Sequence, residues 1–134
     1  MGTSYTNVSF YSAPSEDYPE IDGFTKVNLQ YMNAVASIKV GMSIKSESDL
    51  VISGSKGYAY IPAPWWKTDY FELRYENPAD NKRYFYQVDG KGIRYELVQF
   101  ASAIREGRDD FYISRDITKA ISSIMEDADR RREG

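Results

Sequence analysis

Cysteine and histidine are both absent from the 134 residues of this chain. Without cysteine there is no disulfide framework and no thiolate nucleophile. Without histidine, the commonest general base near neutral pH and the commonest metal ligand are gone together. An excess of positive charge is also lacking. The 17 Lys and Arg residues face 20 Asp and Glu, for a net charge of −3. That balance gives no electrostatic case for a nucleic-acid partner, which calls for a basic face. No apolar run approaches the ~20 residues that a membrane-spanning helix needs. No signal-peptide pattern opens the chain either. The expectation is therefore no membrane partner and a cytoplasmic location.

What is present is ordinary in amount and unusual in kind. Apolar residues make up 42% and charged residues 28% of the chain, the proportions of a soluble globular domain. The length suits a single domain over residues 1–134, able to bury roughly two-thirds of its unfolded surface. The aromatic content is the departure: 12 Tyr, 6 Phe and 2 Trp. A tyrosine buries its ring and keeps its hydroxyl wet. A tyrosine-rich sheet fits a second face that is only partly solvated, as at a protein contact. It fits equally the plain preference of tyrosine for strands.

Alternation of period two dominates the first two-thirds. Thr6 to Tyr11 reads as a short strand, and Ala13 to Pro19 as a loop. From Gly23, residues Val27, Leu29 and Tyr31 share one face and Lys26, Asn28 and Gln30 the other. A tight turn is expected at Met32-Asn33, because asparagine tolerates left-handed backbone. Ala34, Ala36, Ile38, Val40, Met42 and Ile44 then alternate with polar residues, and this apolar face is expected to cover a core. Leu50 to Ile52 and Tyr58 to Ile61 flank a Gly54-Ser55-Lys56-Gly57 turn. Pro62 and Pro64 end the second strand because neither can donate to a ladder. Phe71, Leu73 and Tyr75 alternate with Tyr70, Glu72 and Arg74. After the turn cluster Asn77 to Asn81, Tyr84 to Val88 is read as the hairpin partner.

The period changes to 3.6 after a turn at Asp89 to Gly92. Ile93, Leu97, Phe100, Ala101 and Ile104 form one helical stripe, closed by Gly107. Ile117, Ala120, Ile121, Ile124, Met125 and Ala128 form a second, with Ser114 or Asp116 as cap and Arg130 to Arg132 near the negative end of the helix dipole. The expected fold class is α+β: a mostly antiparallel open sheet of about six strands, with two C-terminal helices packed on one face.

Candidate chemistry is sparse. Gly90-Lys91-Gly92 contains G-x-G, but Tyr95 stands where a dinucleotide fingerprint needs its third glycine. Gly54 to Gly57 lacks the spacing of a phosphate loop and reads as a β-turn. The acid pairs Asp109-Asp110 and Glu126-Asp127 read as solvated charge. Catalytic, cofactor-binding and metal-binding residues are therefore none. Trp65 and Trp66 differ, since two tryptophans on a loop usually have a surface to meet. Three readings stand: packing on the domain's own helices, contact with a partner subunit, or contact with a carbohydrate-like ligand.

Several motifs occur in a fixed order: Asn33 to Ile38; Leu50 to Gly54 followed by Ser55 to Tyr58; Pro62 to Trp65; Gly92 to Glu96; Phe100; and Ala103 to Gly107. In that order they resemble the C-terminal domain of the glucose–fructose oxidoreductase, inositol dehydrogenase and rhizopine-catabolism (Gfo/Idh/MocA) family. The resemblance spans roughly Val8 to Ala128. It implies the substrate-side and subunit-contact part of an enzyme that transfers hydride at a sugar, cyclitol or related hydroxyl carbon. The implied cofactor, NAD or NADP, would be held by a Rossmann domain and not by this chain. The family's Glu-Lys-Pro segment and the Asp-containing helix leading into the sheet have no counterpart here, so no catalytic residue carries over. Trp65, Trp66 and Tyr95 carry over as contact or packing residues, and Lys67 joins them as a candidate contact.

Two helices can cover only one face of such a sheet. The other face, with Tyr70, Phe85 and part of the Trp65-Trp66 loop, has the composition of a subunit interface. A homodimer through that open face is the expectation. The alternative is a free-standing carbohydrate-binding or protein-interaction domain built on the same sheet.

Overall fold

The computed structural model describes residues 4–87, 92–108 and 111–132. Among the described residues, seven strands and two C-terminal helices make an α+β fold with wholly antiparallel strand pairing. The strands do not form a single sheet. They divide into a three-stranded and a four-stranded sheet. The chain accordingly falls into two compact units, one comprising Met1–Ser46 and Gly107–Gly134, the other Glu47–Glu106.

In the first unit, β1 (Asn7–Pro14), β2 (Asp22–Gln30) and β3 (Val35–Gly41) form a meander in that order. β1 runs further than the sequence suggested, taking in Ala13 and Pro14, with a register shift between them. Proline is tolerated there because β1 is an edge strand and Pro14 its last residue. The β2–β3 turn falls at Met32-Asn33 as expected, closed by the Tyr31 N–H donating to the Ala34 carbonyl at 2.8 Å, but Asn33 does not take the left-handed backbone on which that expectation rests. Register places Val8, Leu29 and Ala36 in one row and Phe10, Val27 and Ile38 in the next, on the same face. Phe10, Val27 and Leu29 are buried and form the core of this unit.

Helix α2 (Arg115–Arg132) covers that core through Ile124 and Ala128. Its start is capped by Ser114, whose Oγ accepts from the Ile117 N–H at 3.3 Å. Tyr5 donates to Asp127 at 2.8 Å, and Arg131 donates to the Phe10 carbonyl. The basic end of the helix thus ties down β1 as well as facing the dipole. The acid pair Glu126-Asp127 is engaged: Glu126 with Arg130 at 3.1 Å, Asp127 with Tyr5.

The β3 face departs from expectation. Ala36 packs against the core, but Ile38 is 45% exposed, Val40 57% and Met42 82%. Alternation identifies the side of a strand that is apolar, and says nothing of how far along the strand a cover extends. The β3 strand also ends at Gly41, before Met42 and Ile44.

In the second unit, β4 (Leu50–Gly54), β5 (Gly57–Ile61), β6 (Tyr70–Tyr75) and β7 (Lys82–Phe85) also run in sequence order. Gly54 pairs with Gly57 around the β4–β5 turn. A Cβ on Gly57 would lie 2.5 Å from the Arg74 carbonyl oxygen, so only glycine lets β6 approach there. The β6–β7 connection is a 3₁₀ turn, Pro78–Asp80, with Asn77 as cap. Helix α1 (Ile93–Glu106) ends at Gly107, whose φ of 65° is the left-handed cap the sequence calls for. Ile93, Leu97, Phe100 and Ile104 on its stripe are exposed, and Ala103 is its buried residue. The periodicity states which side of the helix is apolar and says nothing of whether another surface covers it. Val88, the Asp89 to Lys91 turn and Asp109-Asp110 lie outside the described residues.

Candidate contact surface

The alternation of β6 puts Tyr70, Glu72 and Arg74 on one face of the second sheet. Register sets Tyr58 opposite Arg74, Tyr60 opposite Glu72, Arg83 opposite Glu72 and Phe85 opposite Tyr70. One face therefore gathers four aromatic rings, two guanidiniums and a carboxylate. The other face carries Leu50, Ile52, Ala59, Ile61, Phe71, Leu73 and Tyr84.

Glu72 is the centre of the mixed face. Arg83 donates to its Oε1 from Nε at 2.9 Å and from Nη2 at 2.6 Å. Arg74 donates to its Oε2 from Nε at 2.7 Å, with Nη2 also at 2.6 Å. Each carboxylate oxygen is thus gripped by one guanidinium, the strong charge-assisted arrangement. The hydrogen bonds from Arg83 and then Arg74 hold the Glu72 carboxyl below the usual glutamate value, against an opposing effect of desolvation. Arg74 donates in addition to the Tyr58 hydroxyl at 3.4 Å. That bond, and after it Glu72, hold the Arg74 guanidinium more firmly in its charged form than an ordinary arginine.

The guanidiniums also lie over rings: Arg74 over Tyr60 at 4.3 Å and Arg83 over Tyr70 at 4.7 Å from the ring centres. Tyr70 and Phe85, the two residues assigned from sequence to an interface, are cross-strand neighbours with centroids 6.0 Å apart. Phe85 remains 74% exposed. Alternation sets both on one face; their pairing comes from a β7 strand that covers Lys82–Phe85 rather than Tyr84 to Val88. The Glu72–Arg74–Arg83 cluster between them was missed. Its signal was there, in opposite charges two apart on one strand and an arginine at the position across the hairpin.

The Trp65-Trp66 loop belongs to the same unit. It is held by the Trp65 N–H donating to the Ser48 carbonyl at 3.0 Å and the Lys67 N–H donating to the Pro64 carbonyl at 2.8 Å. The two rings meet edge to face at 6.0 Å, and both are exposed. Lys67 is exposed beside them. Tyr95 stands apart in sequence, in the first turn of α1, where its N–H donates to the Gly92 carbonyl at 3.0 Å. Gly54 to Gly57 is a β-hairpin turn, as its spacing requires.

Among the described residues, no group of three or more Asp and Glu residues is placed to hold a metal ion, and no helix is long and apolar enough to cross a membrane. No protein-family model matches the chain, and no curated protein matches it.

Proposed function

We propose that this chain is the substrate-side and subunit-contact domain of an NAD(P)-dependent oxidoreductase acting on a sugar, cyclitol or related polyol. It is inactive by itself and pairs with a second copy through the Tyr70–Phe85 face. The oxidoreductase part is supported by the ordered motifs from Asn33 to Gly107 and by the α+β architecture. In this reading the nicotinamide cofactor belongs to a Rossmann domain of the parent protein, and this chain binds neither NAD nor NADP. Isothermal titration with either nucleotide gives no heat; saturable binding would overturn that division of labour.

One observation carries the contact part: the Glu72-centred face. Tyrosine and arginine are the residue types that dominate interface hot spots. Here the arginines are already paired and stacked, so association costs little further side-chain entropy. Light scattering on the purified chain tests it, with a dimer expected at ~100 μM, a concentration at which even a modest contact is populated. Phe85→Glu is expected to give a monomer with an unchanged circular dichroism spectrum, because Phe85 lies largely in solvent within the chain. A monomeric parent chain at that concentration would sink the contact part.

The exposed, perpendicular Trp65-Trp66 pair favours a second reading, a free-standing carbohydrate-binding domain. Tryptophan fluorescence titrated with neutral sugars tests it. A saturable change abolished by Trp66→Ala supports a sugar contact on this loop, and no change would overturn the second reading.

A further inference from the structure

No further inference is drawn: the strongest candidate, the open groove of about 550 Å³ in the first unit where Ser12, Asp22, Thr25, Asp129 and Arg131 gather beside Phe10, carries nothing because Ser12 and Thr25 bond each other, Arg131 is held by the Phe10 carbonyl, and nothing in the structure shows what fills it.

Discussion

Leu29 and Ile38 lie on the same face of one sheet, and the sequence gives no reason to rank them. The structure does. Leu29 is 5% exposed, flanked in register by Val8 and Ala36, and belongs to the cluster that Ile124 and Ala128 cover. Ile38 lies opposite Val27 but is 45% exposed. Truncation to alanine removes roughly three methylene-sized groups from either, at about 0.8 kcal/mol for each one buried. Leu29→Ala therefore forfeits about 2.4 kcal/mol of transfer energy plus a cavity term, within the usual range of about 2–5 kcal/mol. The surrounding Tyr5, Val8, Tyr31 and Ala36 are only partly buried and can close on the space. That places the expectation at about 2–3 kcal/mol. Ile38→Ala, half in water already, is expected to cost about 1 kcal/mol. Urea denaturation followed by far-ultraviolet circular dichroism, with hydrogen exchange of the β2 amides as a local readout, measures both. Equal costs for the two variants, or a cost below about 1 kcal/mol for Leu29→Ala, would refute the reasoning. The same ranking governs charge. Leu29→Glu unfolds the first unit by burying an unpaired carboxylate, whereas the carboxylate of Ile38→Glu reaches water and the unit stays folded.

Two further outcomes concern the second unit. Because Arg83 and Arg74 hold the Glu72 carboxyl below its ordinary value of 4.5, its contribution is full above pH 4.5 and is lost as the pH falls below that value. Glu72→Gln should lower the melting temperature at neutral pH and flatten the fall in stability below pH 4.5; an acid limb as steep as that of the parent would count against the cluster. Gly57→Ala should destabilise the β4–β6 region by about 1–3 kcal/mol through the forced retreat of the Arg74 carbonyl, and faster exchange of the β5 and β6 amides would show it. Unchanged protection there would mean the backbone yields freely.

Alternation and helical spacing are properties of neighbouring residues, and for that reason the sequence determined the elements. The strand around Val27 and Leu29, the turn at Met32-Asn33, the glycine turn at Gly54 to Gly57, the cap at Ser114 and the left-handed stop at Gly107 all appear at the expected positions. The shared face of Tyr70 and Phe85 was legible from alternation, but their pairing was not, because the partner strand runs over Lys82–Phe85 and not from Tyr84 to Val88. Other features depend on which distant surfaces meet, and only the tertiary structure decided those. The strands divide into sheets of three and four rather than one of about six. The cover given by α2 reaches Phe10, Val27 and Leu29 but leaves Ile38 and Val40 largely open. Glu72 is engaged from two sides because one arginine lies two residues along its own strand and the other across the hairpin, and both reach it only once β6 and β7 are paired. An apolar stripe states that a residue gains by leaving water; whether another surface arrives to take it depends on residues far away in the chain.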